Sequence, residues 1–195
     1  MRTVIVTGGI GSGKSAVCAH LAGKGIPVYD SDSRAKALYE EQPALLETLE
    51  KAWGVPLRES GGRLDRSRLA ALIFSDPARR TELENLLYPA LREDFEAWRE
   101  GFPEAPYVVF ESAVVLSKPA FNGLADKVVL VEAPRALRLQ RVLGRDGGLP
   151  DSVRARMAAQ RLPSRRKADA VIRNEGSLED LFHQSDAVFA HLFDK

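Results

Sequence analysis

Cysteine is nearly absent from this 195-residue sequence: the single Cys18 cannot form an internal disulfide, so a reducing, cytoplasmic setting is expected. Cys18 itself is expected to pack on a helix rather than to act as a nucleophile. No apolar run approaches the roughly 20 residues that span a bilayer, so no membrane partner is expected. The opening MRTVIVTGG has one basic residue before a β-branched run that breaks at glycines, and reads as a strand rather than a secretory signal. Histidine is scarce, and His20, His183 and His191 lie in helical stretches without Cys or Asp at metal-ligand spacing. Trp53, Trp98 and the phenylalanines recur at helical spacing and read as core, not as a base-stacking platform. Repeats and low-complexity tracts are lacking, and 45% apolar composition suits one compact domain.

Net charge is also small, at +1, but it is unevenly spread. From Arg135 to Lys167 there are ten basic residues (Arg135, Arg138, Arg141, Arg145, Arg154, Arg156, Arg161, Arg165, Arg166, Lys167) against Asp146 and Asp151. The rest of the chain is correspondingly acidic. Such asymmetry points to a polyanion held at one place, either nucleic acid or a phosphorylated small molecule.

Along the chain, strand and helix patterns alternate. Arg2 to Thr7 reads as a buried strand, followed by a Gly-rich turn and a helix from Lys14 that stops at Gly23 and Gly25. Ile26 to Tyr29 is a short second strand, and Asp30-Ser31-Asp32 supplies a strand end and helix cap. From Pro43 to Arg99 the apolar residues fall at helical spacing: Leu45, Leu46, Leu49 and Trp53, then Leu69, Leu72 and Ile73, then Leu83, Leu86 and Leu87. Asp76-Pro77 is a cap with proline at the first helical position. Strand character returns at Tyr107 to Phe110, Val128 to Val131 and Ala168 to Ile172, with helices after Pro134 and from Leu178. The expectation is an α/β fold with a parallel sheet covered on both faces.

Gly8-Gly9-Ile10-Gly11-Ser12-Gly13-Lys14-Ser15 satisfies G-x-x-x-x-G-K-[ST] between an expected strand and an expected helix. Its glycines allow the backbone to wrap a phosphate so that N–H groups and a helix N-terminus face the anion. Lys14 is placed to reach the β- and γ-phosphates, and the Ser15 hydroxyl to ligate Mg²⁺. A phosphate loop is shared by GTPases, ATPases, motors and metabolite kinases. The lack of an Asn-Lys-x-Asp base-reading motif weighs against a GTPase.

Three further features bear on the acceptor. Asp32, just beyond the second strand, is placed to accept a proton from an attacking hydroxyl, although both aspartates of Asp30-Ser31-Asp32 also suit helix capping. Val108-Val109-Phe110-Glu111 is an apolar strand ending in an acid, the form of a Walker B element, which a plain strand-end glutamate also satisfies. Arg138, Arg141 and Arg145 fall at i, i+3 and i+7, where arginines can neutralise charge on a transferred phosphoryl group. Arg161, Arg165 and Arg166 follow them.

Nearly the whole chain resembles the dephospho-coenzyme A kinase family. The resemblance rests on Val6 through Ser15, Val28-Tyr29-Asp30-Ser31-Asp32 and Phe110-Glu111-Ser112-Ala113, in that order. It continues in Arg141-Val142-Leu143-Gly144-Arg145-Asp146, Met157-Ala158-Ala159-Gln160 and Ala168-Asp169-Ala170-Val171-Ile172-Arg173-Asn174. It implies a three-layer P-loop NTPase fold, with a core at 1–32, 105–134 and 168–195, a helical acceptor-binding insertion at 33–104 and a lid at 135–167. It implies transfer of the ATP γ-phosphoryl group to the ribose 3′-hydroxyl of dephospho-coenzyme A, the last step of coenzyme A synthesis, without nucleic acid, by a monomer or weak homo-oligomer. By motif, Gly9 and Gly11, Ser12, Gly13, Lys14, Ser15 and Ala16 would hold ATP with Mg²⁺ on Ser15. Asp32 would be the base, Lys14 and Arg145 would assist transfer, Arg141 would lie at the nucleotide and Asn174 near its adenine, and Glu111 and Arg161 at the acceptor. The chain departs from the family pattern at Ser31 for Ala, at Tyr88-Pro89 for His-Pro, and at Glu111-Ser112-Ala113 for a Pro-Leu-Leu form. Shikimate and gluconate kinases also place acids after the second strand, but the helical insertion here is longer.

Overall fold

The computed structural model describes residues 1–146, 150–160 and 164–194. The chain divides into two compact units, Met1–Asp30 with Phe102–Lys195, and Ser31–Gly101.

The first unit is built on five parallel strands: β1 (Thr3–Thr7), β2 (Val28–Asp30), β3 (Val108–Glu111), β4 (Lys127–Glu132) and β5 (Ala170–Arg173). Their order across the sheet is β2-β3-β1-β4-β5. β1 therefore lies at the centre, with Ile5 paired to Phe110 on one side and to Val128 on the other. All five of its residues are buried, which is why it reads as a continuous apolar run instead of an alternating one. Alternation still sorts the two faces. Val4 and Val6 join Val109, Val129, Val131 and Ile172 under Val17, Cys18 and Leu21 of α1 (Lys14–Gly23) and Leu181 and Phe189 of α8 (Leu178–His191). Phe110 instead stacks on Tyr29 at 5.2 Å between ring centroids and meets Phe121 at 5.6 Å. After β4 the chain continues into α6 (Arg135–Asp146) and α7 (Pro150–Ala159), where Val142, Val153 and Met157 form a separate small core with Ile10. The C-terminal helix opens on a capping box, Ser177 and Asp180 each accepting the other's backbone N–H.

The second unit is four helices, α2 (Ser31–Glu41), α3 (Pro43–Trp53), α4 (Arg66–Ser75) and α5 (Pro77–Glu100). Leu83, Leu87, Leu91 and Phe95 of α5 recur every fourth residue as a buried stripe. The cap expected at Asp76 is present: its carboxylate accepts from the N–H groups of Ala78 at 2.8 Å and Arg79 at 3.4 Å. The Arg34 guanidinium donates to both Asp94 oxygens, at 3.0 and 2.7 Å, joining α2 to α5. Pro89 lies inside α5, and both it and Asn85 one turn earlier are exposed, so the carbonyl deprived of its donor is on the solvent side of the helix.

Strand boundaries differ from the sequence reading by one or two residues, and α2 begins at Ser31, inside the Asp30-Ser31-Asp32 segment expected to cap it. The larger difference is α5, a single 24-residue helix where three leucines and a cap had marked only its first half. Among the described residues no helix is long and apolar enough to cross a membrane.

Ile172 is fully buried in the central cluster between α1, α8 and the sheet. Ile172→Ala is expected to lower unfolding stability by about 2–5 kcal/mol in denaturant titration, the range for an aliphatic core truncation that leaves a cavity.

Candidate active site

The loop between β1 and α1 occupies the point where the sheet's connections diverge. From β1 the chain runs to one side, toward β2, and from β4 to the other, toward β5, so a crevice opens at the carboxyl ends of these neighbouring strands. A cavity of about 290 Å³ lies there, bounded by Gly9, Ser12, Glu132, Pro134, Arg138 and Arg165 among others.

Three glycines of the loop are required by their surroundings, the first being Gly8, where a Cβ would collide with the Val131 carbonyl. Gly11 has φ +77°, and a Cβ there would meet the Arg138 carbonyl oxygen at 2.6 Å. Gly13, the residue capping α1, has φ +99°, and a Cβ would collide with the Asn174 carboxamide. The loop is tied on several sides. The Ile10 N–H donates to Gln160 Oε1 at 2.7 Å, Arg138 Nη1 donates to the Ile10 carbonyl at 3.4 Å, and Asn174 Nδ2 donates to the Ser12 carbonyl at 2.8 Å. Ser12 Oγ is buried without a hydrogen-bond partner among the described residues.

At the start of α1, Ser15 Oγ donates to Glu111 Oε1 at 2.5 Å, and Lys14 Nζ lies 3.9 Å from the same oxygen. Glu111 ends β3 and is itself buried, in register with Asp30 at the end of β2. The parallel register therefore delivers a carboxylate to the first turn of a helix that carries the loop's lysine and serine. One turn further along, Cys18 faces this group: burial, then Glu111, push its thiol well above the ordinary range, against a smaller opposing effect of Lys14.

Among the predicted cations, Arg141 of α6 donates to the Asn174 carbonyl at 3.2 Å and to its Oδ1 at 3.0 Å. Arg145 lies in the exposed last turn of α6. Burial, with Arg135 nearby, lowers the pKa of Arg138. Arg165 chelates Glu132, with Nε 2.9 and 2.8 Å from its two oxygens. The basic stretch is thus partly answered by acceptors of its own chain. Arg161 lies outside the described residues.

Asp32 sits in the first turn of α2, in the helical unit. The nearby Tyr88 phenol is pushed up by burial first, with Glu84, Tyr39 and Asp32 adding to it, so it stays protonated. His20 stacks on Phe182 and pairs with Asp186 at 2.8 Å, a packing arrangement. Among the described residues there is no group of three or more His, Cys, Asp or Glu able to hold a metal.

The sequence reading put Lys14 and Ser15 at the phosphates and Glu111 at a Walker B position or at the acceptor; in the fold Glu111 meets both Ser15 and Lys14. It missed Arg138 and Gln160 as loop supports. Gln160 belongs to one of the resemblance segments, which was its only signal, because a contact across 150 residues leaves no local periodicity.

A five-stranded parallel sheet of order 2-3-1-4-5, with a glycine phosphate loop leading from its central strand into a helix, is a P-loop nucleotide-binding fold. The family model for dephospho-CoA kinase matches residues 2–180. Dephospho-CoA kinase from Porphyromonas gingivalis is 43% identical over 160 residues, covering 82% of this chain and 78% of that protein. That from Frankia casuarinae is 40% identical over 195 residues, covering 98% and 84%. The crystal structure of TT1252 from Thermus thermophilus superposes with a TM-score of 0.82 at 38% identity, covering 98% of this chain and 97% of that one. The chain belongs to the dephospho-CoA kinase family.

Because its thiol is buried and held protonated, Cys18 is expected to resist alkylation by iodoacetamide at about pH 8 in the native protein. Mass spectrometry should show modification only after denaturant is added, and rapid labelling of the folded protein would contradict the geometry.

Proposed function

We propose that this protein transfers the γ-phosphoryl group of ATP to the ribose 3′-hydroxyl of dephospho-CoA. The observation that carries this reading is the meeting of Lys14, Ser15 and Glu111 beneath the phosphate loop, in a chain of the dephospho-CoA kinase family.

The loop from Gly9 to Ala16 binds the triphosphate through backbone N–H groups and the start of α1. Lys14 offsets charge on the β- and γ-phosphates. The Ser15 hydroxyl and Glu111 carboxylate, 2.5 Å apart, are hard oxygen donors suited to a mostly hydrated Mg²⁺. Ser15 would hold that ion directly and Glu111 through its water. When bound, the ion supplies charge neutralisation on the transferred group. Arg141 and Arg145 of α6 add cations on the nucleotide side.

Asp32 follows the end of β2 by two residues, and in this reading it takes the proton of the acceptor hydroxyl. The helical unit in which it lies grips the remainder of dephospho-CoA. Tyr88, held protonated and hydrogen-bonded to Glu84, occupies the place where the family commonly carries histidine, so this position adds no second group titrating near neutral pH beside Asp32.

A coupled assay of ADP release should show turnover with dephospho-CoA and none with shikimate or gluconate. No turnover with dephospho-CoA overturns the reading. Asp32→Asn is expected to lower kcat by about 10² to 10⁴, the range for loss of a general base. Turnover near that of the parent would leave Asp32 only its place as an acid in the first turn of α2.

A further inference from the structure

Asn174 is the first residue past β5, and its N–H donates to the Glu132 carbonyl at 2.8 Å, carrying the β4–β5 ladder one step further. Its side chain is turned inward, and the residue is only 6% exposed. The carboxamide nitrogen donates to the Ser12 carbonyl at 2.8 Å and lies against Gly13, so tightly that a Cβ on Gly13 could not fit. The carboxamide oxygen accepts from Arg141 at 3.0 Å, and the Asn174 carbonyl accepts from the other arm of the same guanidinium at 3.2 Å. One amide thus joins the phosphate loop, the β5–α8 junction and α6.

The peptide bond between Ser12 and Gly13 gives this contact its consequence. In a trans peptide the C=O and N–H point in opposite directions, and the chain has no cis bonds among the described residues. Fixing the Ser12 carbonyl on Asn174 therefore turns the Gly13 N–H the other way. That donor is one of those through which a loop of this type meets phosphate.

We infer that Asn174 is a positioning residue for the triphosphate: its carboxamide sets the Ser12–Gly13 peptide plane and holds Arg141 beside it, instead of reading the base. The inference rests on the reading of Gly8 to Ser15 as a triphosphate site. It assigns to the side chain a role that is independent of adenine, because its polar atoms are engaged by the protein's own backbone and by Arg141.

The test is calorimetric binding of ATP, GTP and inorganic tripolyphosphate, in magnesium buffer, to the full chain and to Asn174→Ala and Asn174→Asp. Circular dichroism and thermal melts first establish that each variant is folded at the measuring temperature. Asn174→Ala should weaken all three ligands by a common factor of about ten, the scale of one buried hydrogen bond lost. Asn174→Asp keeps the size and the Arg141 contact but presents a carboxylate to the Ser12 carbonyl, and should lose at least as much. Weakening of ATP alone, with tripolyphosphate unchanged, would make Asn174 a base contact and overturn the inference. So would a lowered melting temperature with all three affinities unchanged, or recovery of parent affinity in Asn174→Asp. Parent protein that binds neither ATP nor tripolyphosphate overturns the phosphate-loop reading itself, and this inference falls with it.

Discussion

A loop that binds phosphate through its backbone must turn N–H groups inward, and the carbonyls thereby turned outward must be satisfied by something else. Here the partners come from several of the elements that surround the loop. Asn174 takes the Ser12 carbonyl and Arg138 the Ile10 carbonyl, while Ile10 is an exception whose N–H also turns outward, to Gln160. The loop closes on itself where Ser12 N–H meets the Gly9 carbonyl at 3.0 Å, and the Gly13 carbonyl accepts the first bond of α1. The glycine pattern follows from this crowding as much as from the ligand. Gly11 and Gly13 are positions where supporting groups approach too closely for a side chain.

The same constraint shapes the charges. Ten basic residues cluster in one stretch of sequence, yet in the fold Arg138 is buried over a loop carbonyl, Arg141 is held by Asn174 and Arg165 by Glu132. Arg145 stands on the exposed end of α6. Glu111 is the opposing charge at the other side of the loop, buried and shared between Ser15 and Lys14. A carboxylate so placed keeps the serine hydroxyl and the lysine ammonium oriented before any nucleotide arrives.

Much of this was legible in the residues. The phosphate loop announces itself because its chemistry is local, eight consecutive positions with fixed types. Glu111 was legible for a related reason, as the acid closing an apolar run. The strands were found because burial on both faces leaves unbroken β-branched runs, as in Thr3–Thr7. What stayed hidden was non-local. Nothing near Gln160 or Asn174 tells that each serves a backbone atom some 150 or more positions earlier. The length of α5 was hidden for a different reason: Pro89 suggests a break, and only burial of Leu91 and Phe95 beyond it carries the helix on to Glu100. The arginines at i, i+3 and i+7 were visible as a face, but Arg138 turns to a different partner from Arg141 because one meets the loop and the other the β5–α8 junction.

The central place of β1 has a bearing on how the protein is made. It is synthesised before either neighbour, since Thr3 pairs with Val108 and Val4 with Lys127. At ribosomal speeds of about 5–20 residues per second, the strand waits roughly 5–25 s for the residues that will flank it. Throughout that interval an apolar segment with no ladder partner is present on the nascent chain, the kind of segment that pairs with a neighbouring copy when one is close. Placing the nucleotide loop on the innermost strand thus couples one part of translation to a much later one, and an apolar stretch of the nascent chain must stay shielded until the sheet can close around it.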